Sequence, residues 1–223
     1  IKKLSFNLFK NLKFKASFFV DNSKSPPRRT LELFFISPSI LFFKIVTEDK
    51  MSRLIKIVKK TFEDITGFLN PDYALDGCSA PNFACSIQSL AKAMAVFANP
   101  ENLQKNRIMS IAKLKNAVLS HPELIAGSDR LCTKIIKKSN GRLIVKVGAE
   151  GVYTAMLLDK GLGMALKISD GSKRAAECLI ITLLVMLGYF KKDDQDFLNY
   201  LNTPIYNWSE KKTGIIRASD VVW

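Results

Sequence analysis

The sequence predicts an α/β chain of the α+β kind, an antiparallel sheet covered by helices. Two observations lead there. From Met51 apolar residues recur every three to four positions to about residue 140, and then the period drops to two for three short runs. A helix that is apolar nearly all round follows, CLIITLLVML at 178–187, which only a core can accommodate. Helices, a meander and a buried helix in that order pack as layers around one core.

The first fifty residues stand apart. They hold 9 of the 15 phenylalanines and carry 10 Lys/Arg against 4 Asp/Glu, without a clear period. Ser23–Arg29 (SKSPPRR) breaks any helix, because paired prolines exclude one. The run Leu33–Phe43 is apolar but interrupted by Pro38 and too short to span a bilayer. Three readings stay open: a basic aromatic membrane-surface arm, a strand pair at the domain edge, or a non-native segment with the real start near Met51. The regular pattern after Met51 favours the last. The expected division is therefore 1–50, an irregular segment that packs poorly, and 51–223, the folded domain.

From Met51 each element has its signal. Leu54, Val58, Phe62 and Ile65 form one stripe of a helix that Gly67 ends. A polar loop spans Asn70–Pro81. Phe83, Ile87, Leu90, Met94 and Phe97 mark a second helix, stopped by Asn99-Pro100. Arg107–Leu119 reads as a third. Pro122 opens a short fourth that Gly127 closes, and Ser128 caps a fifth running through Lys138. Leu143–Val147 and Val152–Leu158 are strands joined by the Gly148–Gly151 turn, and Gly161–Ile168 is a third strand. Its alternation sets Leu162, Met164, Leu166 and Ile168 on one face and Gly163, Ala165 and Lys167 on the other. Asp170-Gly171-Ser172 then caps the buried helix from Lys173 to Leu187.

Composition excludes several classes. With 223 residues, 48% hydrophobic and 24% charged, the chain is long enough for a core and neither disordered nor collagen-like. Four cysteines are too sparse for a disulfide scaffold, so they read as reduced and the chain as cytoplasmic. The charge of +14 is spread along the chain with no run of five or six basic residues. That distribution favours a lysine-rich solvated surface over a nucleic-acid footprint.

Chemistry concentrates in two places. Asp76-Gly77-Cys78 sets a carboxylate and a thiol two residues apart in a loop. The thiolate suits zinc, and the carboxylate suits a second ligand or the acceptor for a substrate amine. The bland alternative is a turn-making Asp76 and a small buried Cys78. Lys167 is the second place: Gly163 and Ala165 beside it leave room for a ligand to approach the backbone, and a desolvated lysine can act as base or oxyanion partner. The alternative is a strand face open to solvent. Ser89-x-x-Lys92 and Ser110-x-x-Lys113 match the nucleophile motif of serine acyl-transfer enzymes. Both lie in helices on the polar side and read as chance matches. His121, the only histidine, sits before a proline at a helix start, where it caps or faces solvent.

Asp76–Ala84 (DGCSAPNFA) resembles a signature of the class 3, rhizobial-type L-asparaginases. His121–Gly127, Lys146–Val152, Gly161–Gly171 and Arg174–Ala176 agree with that family in order and rough spacing. The resemblance implies a fold similar to serine β-lactamases and penicillin-binding proteins, incomplete here, and hydrolysis of L-asparagine to aspartate and ammonia. It implies Lys167 as the catalytic lysine, Asp76 as the substrate-binding acid and Cys78 as one of two zinc cysteines. Tyr153 stands where some members carry a further cysteine. The family's Ser-x-x-Lys nucleophile and its Cys-Ser-Gly-Lys-His zinc motif have no match before Met51. The expectation is therefore an asparaginase-family amidohydrolase, truncated and inactive as it stands, with half a zinc site and so no bound zinc. The partner it implies is L-asparagine, with no membrane span, nucleic acid disfavoured and homo-oligomerisation open. The alternative from another class is a basic nucleic-acid or anionic-membrane binding protein on a retired enzyme fold.

Overall fold

The computed structural model describes residues 14–19, 48–77 and 80–218, with 14–19 and 48–52 entering as backbone. Strand β1 (Phe14–Phe19) precedes α1 (Glu48–Thr66), β2 (Tyr73–Leu75), β3 (Pro81–Phe83), α2 (Ile87–Ala98), α3 (Lys105–Ser120), α4 (Glu123–Ala126) and α5 (Leu131–Lys138). Then come β4 (Leu143–Val147), β5 (Val152–Leu157), β6 (Leu162–Ile168), α6 (Lys173–Met186), α7 (Leu198–Leu201), β7 (Thr203–Tyr206) and β8 (Lys212–Ile216). The α/β reading with antiparallel sheets holds.

The meander is where the period of two located it. β4, β5 and β6 pair antiparallel in the order β1-β6-β5-β4. β1 adds the outer strand, with Phe14 opposite Ile168 and Phe19 opposite Gly163. Residues 14–19, which show no clear period in sequence, form one edge strand of this sheet. The rest of 1–47 lies outside the described residues.

The sheet is buried on both faces. On one, Leu143, Val145, Tyr153, Ala155, Leu157, Met164 and Leu166 join the main core with Ile135, Ile136, Ile180, Ile181 and Leu184 of α5 and α6. Helix α6 carries an unbroken buried run, Cys178 to Leu184, as its all-round apolar sequence requires. On the other face lies α2, which crosses β1, β6 and β5 and buries Ala91, Ala93, Val96 and Ala98.

Several elements depart from their sequence signals, and α5 starts at Leu131 behind Arg130 rather than at a Ser128 cap. The loop 70–81 contains β2, and the helix expected from Phe83 starts at Ile87. Both changes follow from the hairpin: Tyr73 pairs with Phe83 and Leu75 with Pro81. Strands of three residues are too short to show a period. Ser86 then caps α2, its hydroxyl accepting from the Ser89 N–H at 3.0 Å. In α1 the expected stripe packs only in its second half. Phe62 stacks on Phe83 with ring centroids 5.5 Å apart, whereas Leu54 and Val58 are 57% and 49% exposed. Gly67 ends the helix with φ 68°, the left-handed conformation that suits glycine.

Candidate active site

Asp76 owes its position to the β2–β3 hairpin. Phe83 anchors that hairpin, meeting Phe62 of α1 and, at 6.3 Å, Tyr73 across the ladder. The Asp76 N–H donates to Ala80 O at 2.9 Å, closing the loop at its base and leaving the carboxylate half-buried. Cys78, the thiol of the same loop, lies outside the described residues.

Lys167 lies near the end of β6, half-buried, opposite Val152 of β5 and Lys15 of β1. Its Nζ donates to Ile168 O at 2.8 Å and to Glu150 O. The face it shares with Gly163 and Ala165 is neither solvent-exposed nor open to a ligand at those small residues, which corrects that part of the sequence reading. A Cβ on Gly163 would meet Ala91 O at 2.1 Å and Ala95 N at 2.2 Å. The space left by the missing side chain is filled by helix backbone. Sequence shows that a small residue admits something close, and here the occupant is α2.

Two glycines give the direction of β6 against α2. Gly161, before β6, lies against Asn99 at the C-terminal end of α2, and Gly163 lies against Ala91–Ala95 in its middle. Over these two residues β6 runs from the C-terminal end of α2 toward its middle.

The decoy serines are accounted for by local structure. The Ser86 hydroxyl donates to Ser89 Oγ at 3.1 Å, so Ser89 is part of the cap of α2. Its motif partner Lys92 reaches back to Gly67 at the end of α1, where a Cβ would come 2.7 Å from Nζ. Ser110 is exposed and donates to Asn106 O at 2.9 Å. His121 is exposed as expected, its Nδ1 3.6 Å from Glu123 Oε1.

Thiol chemistry is muted. Cys85 is half-buried, and burial pushes its thiol up to about 11, away from the thiolate that metals require. Cys132 is buried, with Sγ 3.0 Å from Tyr153 Oη. Among the described residues no three His, Cys, Asp or Glu side chains gather where they could hold a metal ion. Cys78, the cysteine that the resemblance assigns to zinc, is not among them. An open hollow of about 460 Å³ between α3, α4 and α5 is lined by Ser120, Glu123, Lys137 and Asn140 among others, and contains neither Asp76 nor Lys167. Among the described residues no helix is long and apolar enough to cross a membrane.

The sequence model of the L-asparaginase II family matches residues 48–218, from the first turn of α1 to just beyond β8. The chain belongs to that family. The match agrees with the resemblance read from Asp76–Ala84 and the segments after it. Comparison with curated proteins gives no match. Within this L-asparaginase II domain, the feature missed by sequence reading is the Glu150 carbonyl that receives Lys167. Ala149-Glu150-Gly151 signals a turn, but which side chain it faces depends on strand register.

Proposed function

We propose that this chain is an asparaginase-type amidohydrolase domain carrying the amine-binding and lysine side of the site, and that on its own it does not turn over L-asparagine. Family membership supports the substrate class. Asp76 would accept the α-amino group of asparagine, and Lys167 would supply fixed positive charge toward the amide oxygen as it gains charge. Neither group is the acyl acceptor that the covalent route needs.

The observation carrying this reading is the fate of Ser89. A nucleophilic serine needs a base that takes its proton. Here the Ser89 hydroxyl receives a hydrogen bond from Ser86, and Lys92 is drawn to the end of α1. The same logic extends to metal: with Cys85 protonated and Cys132 engaged, the chain alone binds zinc weakly or not at all.

Ammonia release from L-asparagine tests the reading, using the full chain beside Ser89→Ala, Ser110→Ala and Lys167→Ala. The expected result is no release above background in any of them. Release abolished by Ser89→Ala or Ser110→Ala would instead identify the nucleophile. Release that survives both but is lost in Lys167→Ala would place the nucleophile elsewhere. Stoichiometric, chelator-resistant zinc would overturn the metal part.

A further inference from the structure

We infer that the Ala149–Val152 turn is a positioning clamp for the Lys167 ammonium, with the Glu150 carbonyl as its jaw. The catalytic meaning of the clamp rests on the reading of Lys167 above, but the clamp itself does not.

Three features converge on this lysine. Its Nζ donates to two backbone carbonyls, Ile168 O in its own strand and Glu150 O in the neighbouring turn. Glu150 has φ 53° and Gly151 has φ 70°, and the Val152 N–H donates to Ala149 O at 3.1 Å across the turn. Two successive left-handed residues make a primed hairpin turn, whose first such position normally goes to Asn, Asp or Gly. A glutamate there carries a Cβ penalty. Strain of this kind persists where the surroundings over-determine it, and it gathers at functional sites.

The surroundings do over-determine it. The Ile168 N–H donates to Gly151 O at 3.0 Å, tying the turn to the end of β6. A Cβ on Gly151 would sit 2.9 Å from Ile168 Cβ and 3.1 Å from the Gly171 carbonyl carbon. Gly171 is itself left-handed at φ 72°, and a Cβ there would meet Glu150 Oε2 at 2.7 Å. Two turns at the same end of the meander, one between β4 and β5 and one after β6, thus lie on each other only because two glycines remove the side chains between them. The contact fixes the Glu150 peptide, and its carbonyl is held toward Lys167. Rotating Glu150 into the right-handed region would swing that carbonyl away.

Stapling one turn to a strand needs no ammonium, since the Ile168–Gly151 bond already does it. What the left-handed glutamate adds is a second acceptor on one cation. A lysine so held keeps its head in one place and presents charge in a fixed geometry, as an oxyanion or carboxylate partner must.

The test reads Lys167 directly and does not depend on turnover. Acetic anhydride labels the folded chain at trace level, and peptide mass spectrometry gives the rate at each lysine. Lys167 is expected to react at least about tenfold more slowly than exposed Lys191, because acylation must first break a charge-assisted bond. Gly151→Ala should bring Lys167 close to the Lys191 rate. Glu150→Val, which penalises the left-handed conformation without touching the buried glycine, should do so in part and covers the case where Gly151→Ala fails to fold. Glu150→Gly keeps the turn and should leave Lys167 slow. Lys167 reacting as fast as Lys191 in the unaltered chain overturns the clamp, as does an unchanged Lys167 rate in a folded Gly151→Ala or Glu150→Val chain. A slow Lys167 in a chain without ammonia release leaves the clamp standing; release that is indifferent to Lys167→Ala removes only its catalytic meaning.

Discussion

Gly163 of β6 lies directly under Ala91 of α2: a Cβ at 163 would come 2.1 Å from the Ala91 carbonyl oxygen. That contact sets the depth at which α2 beds on the sheet. Gly163→Ala must therefore push helix backbone rather than a side chain. The expected cost is about 3 kcal/mol, at the upper end for overpacking, read as a lower urea midpoint. An unchanged midpoint would show that α2 rides freely over β6.

The buried Cys132–Tyr153 pair gives an asymmetric result. Both residues are almost fully buried, 1% and 0% exposed, and Sγ and Oη are 3.0 Å apart. Tyr153→Phe removes one partner and leaves a thiol that tolerates apolar surroundings, at a cost of about 1 kcal/mol. Cys132→Ala orphans a phenol hydroxyl and opens a small void, costing about 2–3 kcal/mol. The double variant should cost less than the sum, since no hydroxyl remains to be orphaned. Strict additivity in urea unfolding would mean that the two groups do not interact.

How much was legible follows from periodicity. The β4–β6 meander and α6 are readable because their apolar patterns extend over five residues or more. β2 and β3 are not, at three residues each. In the sequence Lys167 stands on a small-residue face, yet the same small residues suggest open space that α2 occupies. Sequence shows that Gly163 has no side chain; only tertiary packing shows what takes its place. The Glu150 clamp was invisible for a related reason, since it depends on which turn lies across from Lys167.

Alkaline pH should destabilise the fold through its buried tyrosines as well as through the thiols of Cys85 and Cys178, which burial also raises. Burial, and then the Cys132 contact, raise Tyr153 above the ordinary tyrosine value; burial and the bond to Asp159 raise Tyr189 likewise. The folded state thus retains protons that the unfolded chain sheds above about pH 10. The stability these groups contribute is complete below that pH and falls as pH rises, by up to about 1.4 kcal/mol per pH unit for each tyrosine. Melting midpoints measured from pH 8 to 11 should fall most steeply above 10, and less steeply in Tyr153→Phe. A flat profile through pH 11 would contradict the burial of both hydroxyls.

Deleting residues 1–47 removes β1 but none of the family-matched domain. Two consequences follow from the sheet order, in which β1 is the outer neighbour of β6. The six β1–β6 residue pairs vanish, and α2, which also lies over β1, loses part of its bed. At about 1 kcal/mol net per ladder bond, offset by the entropy of releasing the strand, the loss should be about 2 kcal/mol. Unfolding should remain a single transition, because the main core built by α5, α6 and β4–β6 lies within the family-matched domain. The bare β6 edge is apolar and would invite pairing between chains. The shortened chain should therefore show a lower urea midpoint, an unaltered single transition and concentration-dependent association by sedimentation velocity. A midpoint equal to that of the full chain, with no association, would mean that β1 does not close the sheet in solution.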